Sequence, residues 1–147
     1  MILLDTNVVS EIMRRAVDPT VAAYIDALPI EEVYLPSIVV AEIRYGLRRL
    51  PDGRRRREAQ DSFARFLDAG FAGRILPFDA SCADGYATVR HSREVAGRPV
   101  TVQDALIGGM ALAHRAVLAT RNILDFDGYG LTVVNPWGTK QHDAPQG

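Results

Sequence analysis

A chain of 147 residues, 48% of them hydrophobic, is one domain by length, and it buries roughly two thirds of its unfolded surface without disulfide or metal staples. Cys82 is the only cysteine, which excludes an internal disulfide or a thiolate cluster and fits a reducing cytoplasm. No apolar run approaches the ~18 residues of a membrane helix, and Asp5 stands where a signal peptide would be apolar, so a soluble intracellular protein is expected. The net charge of -1 says less than its distribution, because Lys140 is the only lysine among 17 basic residues and the arginines cluster.

In chain order, Met1-Ile2-Leu3-Leu4 reads as a buried strand that stops at Asp5, and Thr6 and Asn7 open a helix over Val8 to Arg15. Asp18-Pro19 begins a second helix, to about Ala27. Val33-Tyr34-Leu35 is a strand ending at Pro36. Ser37 is the expected cap of a helix with Ile38, Ala41, Tyr45 and Leu47 on its apolar side. After the Pro51-Asp52-Gly53 turn, a helix from Arg54 to Ala69 presents Ala59, Phe63, Phe66 and Leu67. Ile75 to Phe78 is the third strand, and Asp79 or Ser81 caps a helix to about Val95. Thr101 caps a helix from Val102 to Arg115, whose small residues predict close packing. Ala116 to Ala119 and Leu131 to Val134 are the last strands, with a polar loop between them, and residues 138–147 read as a frayed tail. This βαβ rhythm predicts a single three-layer α/β/α domain over residues 1–137, with a central parallel sheet of about five strands.

In such sheets ligands bind beyond the carboxyl ends of the strands. Asp5 falls there, Glu42 lies early on the helix after the second strand, Asp104 in the first turn of the helix capped by Thr101, and Asp125 in the loop after the fourth strand. Each has an ordinary explanation, as a helix cap, a solvated charge, half of a capping box or a turn former. Four unrelated surface acids have no reason to converge on one end of a sheet, so together they predict a site.

The motifs Leu4-Asp5-Thr6-Asn7, Ala41-Glu42-Ile43-x-Tyr45-Gly46, Asp104-Ala105-Leu106-Ile107 and Leu118-Ala119-Thr120-Arg121-Asn122-x-x-Asp125-Phe126 stand in order. Through them the chain, from Met1 to about Pro136, resembles the PIN-domain ribonucleases, and among them the bacterial toxins of VapC and FitB type. The resemblance implies that Asp5, Glu42 and Asp104 are the core metal-binding acids, Asp125 the fourth acid, and Asn7 and Thr120 polar helpers. Asp127 competes with Asp125 for the fourth place. The resemblance further implies an endoribonuclease acting on RNA, a homodimer, and an antitoxin that reaches into the site and binds operator DNA.

The residues point to the same chemistry. Carboxylates crowded into one crevice repel unless protons or a cation join them, and an all-oxygen ligand set selects Mg²⁺, with Mn²⁺ as substitute, over Zn²⁺ or copper. A site of that kind suits metal-dependent hydrolysis of a phosphodiester. Seven arginines, Arg44, Arg48, Arg49 and Arg54 to Arg57, fall within fourteen residues and form either a phosphate-binding patch, a docking face for an acidic partner or a plain solvated surface. Arg121 and Arg93 are further candidates for substrate contact. Cys82, His91, His114 and His142 read as structural or surface residues, Trp137 as packing at the end of the last strand, and Tyr24, Tyr45 and Phe63 as core or dimer contacts. A haloacid-dehalogenase-type phosphatase would need an acid where Asn7 stands, and a response-regulator receiver would need a lysine at the strand ends. The remaining alternative is a catalytically silent PIN-like module that binds RNA or a partner.

Overall fold

The computed structural model describes residues 1–138, so the tail expected over residues 138–147 lies, but for Gly138, outside the described residues. Five short strands, β1 (Ile2–Leu4), β2 (Val33–Pro36), β3 (Ile75–Leu76), β4 (Val117–Ala119) and β5 (Thr132–Val134), form one parallel sheet in the order β3-β2-β1-β4-β5. The chain steps outward from β1 to β2 and β3, then crosses back to β4 and β5. The switch in direction lies between β1 and β4, where the strand ends leave a crevice. The registers Leu4↔Ala119 and Ala119↔Val134 align those ends.

Helices α1 (Thr6–Ile12), α2 (Pro19–Asp26), α3 (Ser37–Arg48) and α4 (Arg54–Gly70) serve the outward steps, and α5 (Ala80–Val95) and α6 (Val102–His114) the return. Right-handed crossovers put the two groups on opposite faces, which gives the three layers. Leu3, Leu4, Leu35, Leu118, Ile107, Met110, Phe63 and Phe126 are buried at the centre.

The differences from the sequence reading have local causes. α1 ends at Ile12 rather than Arg15, because the buried Glu11 accepts from the Asp18 amide (2.9 Å) and Arg14 (3.1 Å) and folds the chain into the next turn. Pro36, with no side-chain cap bond, precedes α3, so Ser37 is its first residue and not its cap. On α3 the core face is Val39 and Val40, with Ile43 and Leu47 packed behind them, while Tyr45 is 65% exposed and is not a core contact. β3 stops at Leu76 because its partner β2 ends at Pro36, where α3 begins. That short edge is pinned by Arg74, which donates to the carbonyls of Ile30 (2.7 Å), Val33 (2.5 Å) and Gly70. Asp79, not Ser81, caps α5. The loop after β4 contains a 3-10 helix, Ile123–Phe126, which seats Phe126 in the core.

The small residues on α6 do permit close packing. A Cβ on Gly85 of α5 would lie 2.2 Å from the Gly109 carbonyl oxygen, and one on Gly109 would lie 2.4 Å from the Tyr86 amide nitrogen, so the two backbones touch there. Gly85→Ala or Gly109→Ala must push the helices apart, at a cost of about 1 to 3 kcal/mol. Thermal unfolding should then shift down by roughly 2 to 4 °C per kcal/mol. Gly46, on an exposed stretch of α3, has open space where a Cβ would stand, with no atom within 4 Å, and should respond oppositely. Gly46→Ala should gain up to about 1 kcal/mol of helix propensity.

Candidate functional site

The crevice is built from the ends of β1 and β4. Asp5 is the residue after β1, and its amide continues the ladder to the Ala119 carbonyl (3.0 Å), which sets it beside Thr120, the residue after β4. The Thr120 hydroxyl donates to Asp5 Oδ2 (2.7 Å), and both residues are buried. Asp5 Oδ1 accepts from the Thr6 amide (2.8 Å), which makes Asp5 the cap of α1 as well as a crevice acid. Asn7 bridges the two strand ends: its side-chain amide reaches Asp5 Oδ2 (3.3 Å) and Thr120 (3.4 Å), and its oxygen accepts from the Arg121 amide (3.2 Å).

The other acids arrive on separate elements. Glu42, in the second turn of α3, accepts a hydrogen bond from the Thr6 hydroxyl. Asp104 lies in the first turn of α6, where Thr101 accepts from its amide (3.1 Å). Asp125 sits on the 3-10 helix, which Arg93 of α5 holds from beneath. The buried Arg93 guanidinium donates to the carbonyls of Leu124 (3.2 Å) and Asp127 (3.0 Å), and Tyr129 donates to that of Asp125 (3.2 Å). Arg93 is therefore an anchor of this loop and not a substrate contact. The Thr6 link to Glu42 joins residues 36 apart in sequence, and nothing in the local motif signals it.

These carboxyls lie in one another's fields. Burial pushes the Asp5 carboxyl above its usual range, against the pull of its hydrogen bonds from Thr120, Thr6 and Asn7, and the Asp125 charge adds to the rise. Burial likewise raises Glu42, helped by the charges of Asp5 and Asp104. It raises Asp104 too, helped by Asp5 and Asp125. The charge of Asp125 is felt at both Asp5 and Asp104. Among the described residues none of the four has a basic nitrogen within 4.0 Å. With Asp5 buried, Glu42 and Asp104 half-buried and Asp125 exposed at the rim, acids without a basic partner suit a hard divalent cation.

The arginines divide. Arg121 stays at the crevice rim, tied by its amide to Asn7, with its guanidinium over the Trp137 ring (4.1 Å to the centroid). Arg44 and Arg48 line a groove of about 280 Å³ between α3 and α4, floored by Leu47, Phe63 and Leu67. Arg54 and Arg55 stand exposed at the head of α4, with Arg54 paired to Glu58 (2.8 Å).

The raised acids have a consequence for stability. A carboxyl whose folded pKa lies above its unfolded value of about 4 stabilises the fold below that value and loses the contribution as pH rises through the folded one. In chelator, wild type should therefore lose melting temperature relative to Asp104→Asn between about pH 4 and neutrality. Mg²⁺ should close the gap by stabilising wild type with a saturating dose response. Melting curves that keep a constant offset across this range would mean that Asp104 carries no such burden.

Comparison with known proteins agrees with this architecture. The family model of the PIN domain matches residues 2–127. The VapC ribonuclease Y4jK of Sinorhizobium fredii is 40% identical over 137 residues, 93% of this chain and 98% of that protein. Toxin FitB of Neisseria gonorrhoeae is 39% identical over 137 residues, 93% of this chain and 99% of that one. A solved structure of FitAB bound to an IR36 DNA fragment superposes with a TM-score of 0.88 at 38% identity, covering 97% of this chain and 99% of that chain. With most of its length matched by the family model and by relatives of this similarity, the chain belongs to the PIN-domain family.

Proposed function

We propose that this protein is a divalent-metal-dependent endoribonuclease, served by Mg²⁺ with Mn²⁺ as substitute, and the toxin half of a toxin-antitoxin pair working in the cytoplasm. The observation that carries the reading is the convergence of Asp5, Glu42 and Asp104 at the β1–β4 switch point, each held above its usual pKa by burial first and by the charge of neighbouring acids second. Similarity to a protein named a VapC ribonuclease and to one named toxin FitB supports the substrate and the biological role.

Asp5, Glu42 and Asp104 would hold the ion, with Asp125 as the fourth acid. A bound Mg²⁺ would supply charge neutralisation at the phosphodiester and a more acidic water for attack. The chain's own groups do the remaining work. Thr120, Asn7 and the Thr6 amide fix the Asp5 carboxylate, so that it meets a cation without reorganising. The Thr6 hydroxyl orients Glu42, and the Arg93 anchor sets the height of the Asp125 loop. Arg121, at the rim, would meet a phosphate of the strand.

The antitoxin and a second copy of the chain are the proposed protein partners, and operator DNA is contacted through the antitoxin. The similarity to the chain in the structure of FitAB bound to an IR36 DNA fragment supports a complex that meets DNA. The arginine-lipped groove between α3 and α4 is the place where an acidic partner would compete with RNA. The alternative, a catalytically silent module that binds RNA or a partner, calls for loss of an acid, and all four acids are present.

Asp5→Asn, Glu42→Gln and Asp104→Asn should each remove Mg²⁺-stimulated, chelator-sensitive RNA cleavage while leaving the circular dichroism spectrum unchanged, and Asp125→Asn should weaken it less. Wild-type activity in any of the first three would sink the assignment. For the arginines, changing Arg54 to Arg57 together to Ala should weaken RNA binding and flatten its salt dependence, by about one unit of slope for each phosphate no longer bound. An unaltered slope with lost antitoxin binding would move the patch to the protein interface.

A further inference from the structure

At the far end of α6 from Asp104, a second set of ligating groups converges. Asp79 caps α5, Cys82 lies three residues on and so on the same face of that helix, and His114 is the last residue of α6. One ligand atom from each of the three lies within 4.8 Å of the other two, the only such trio of His, Cys, Asp or Glu among the described residues. Cys82 Sγ is 3.8 Å from His114 Nε2. Asp79 Oδ1 accepts from Ser81 (2.7 Å) and from the Cys82 amide (3.2 Å), which holds the carboxylate over the sulfur and leaves Oδ2 without a hydrogen-bond partner among the described residues.

Neither helix packing nor the proposed nuclease chemistry asks for this combination. A cap needs only Asp79, and a buried cysteine needs no imidazole beside it. We infer that Asp79, Cys82 and His114 form a binding site for a Zn²⁺-class ion, separate from the acidic crevice. Thiolate and imidazole donors select Zn²⁺ over Mg²⁺, the reverse of the preference of an all-oxygen set. With ligand bonds of about 2.0 to 2.3 Å, tetrahedral coordination sets sulfur and nitrogen roughly 3.5 Å apart, so the observed spacing closes with a shift of a few tenths of an ångström. Binding replaces the Cys82 S–H bond by a sulfur–zinc bond and releases the proton to solvent. The exposed Asp79 gives the ion its way in. Three protein ligands leave a fourth position for water.

The distance between the two sites keeps them independent. Asp104 is the third residue of α6 and His114 its last, so about 15 Å of helix separates them. An ion here ties the head of α5 to the tail of α6, the two helices whose glycine contact positions Arg93 and Asp104 at the other end.

The test uses the full chain, stripped of metal and then held in excess Mg²⁺. Zn²⁺ alone, followed by equilibrium dialysis, should bind at one equivalent and raise the melting temperature. Co²⁺ in its place should give a thiolate-to-cobalt absorption band in the near ultraviolet. Cys82→Ser should abolish the band. His114→Gln, and Asp79→Asn, which keeps the α5 cap, should each weaken Zn²⁺ binding at least tenfold, whereas Asp104→Asn should leave it intact. Should Cys82→Ser fail to fold, the other two variants decide. Cobalt binding without the charge-transfer band, or equal Zn²⁺ affinity in wild type and His114→Gln, would overturn the proposal.

Discussion

The hydrogen bond from Thr120 to Asp5 is where the fold and the site become one thing. Parallel pairing of β1 with β4 dictates that the residues just past Leu4 and Ala119 stand side by side, and at that point the sheet changes direction. A carboxylate buried there would cost several kcal/mol if left bare. Three donors surround it instead, from Thr6, Asn7 and Thr120. They hold Asp5 in one orientation, yet they do not cancel its burial or the pressure of the neighbouring acids, because its pKa still lies above the usual range. The residual instability is local and directional, and it favours whatever brings positive charge into the crevice.

The acids reach that crevice by different mechanical routes. Glu42 is delivered by the start of α3 and tied to α1 through Thr6, so the first and second βα units are coupled at their tips. Asp104 depends on where α6 begins, and α6 is placed by its backbone contact with α5 at Gly85 and Gly109. Asp125 rides on a single 3-10 turn whose outer carbonyls are gripped by Arg93 of the same α5. One helix pair thus governs two of the four acids, although α5 contributes no acid to the crevice.

Much of the architecture is legible in the chain. Strands buried on both faces leave continuous apolar runs, and Asp18, Asp79 and Thr101 announce their helices by side-chain chemistry, in agreement with the observed cap bonds. What stays hidden is non-local. Tyr45 and Ala41 look like core residues of α3, yet in the fold it is Val39 and Val40 that are buried. Arg93 looks like a substrate contact because its partners are backbone carbonyls more than thirty residues away, which no composition can announce. The convergence of Cys82 with His114 is invisible in the sequence for the same reason. The family is legible from the order and spacing of four motifs, each of them ambiguous alone.

For the candidate site, the ordinary and the functional explanations of a residue turn out not to compete. Asp5 reads from the sequence as either a helix cap or a crevice acid, and it is both at once: one oxygen accepts the Thr6 amide while the other faces Thr120. Asp104 likewise starts α6 within a Thr101 cap and feels the charges of Asp5 and Asp125. This overlap has a physical origin. Helix N-termini gather amide donors and a favourable potential for negative charge, so they are among the few places in a parallel fold where a carboxylate is tolerated half buried. A crevice ringed by helix starts therefore accumulates acids with little local strain, and the destabilisation that remains comes first from their burial and then from their mutual repulsion. Substitution by the isosteric amide is the informative change, since Asn keeps the cap and removes the charge, whereas Ala removes both and confounds folding with chemistry.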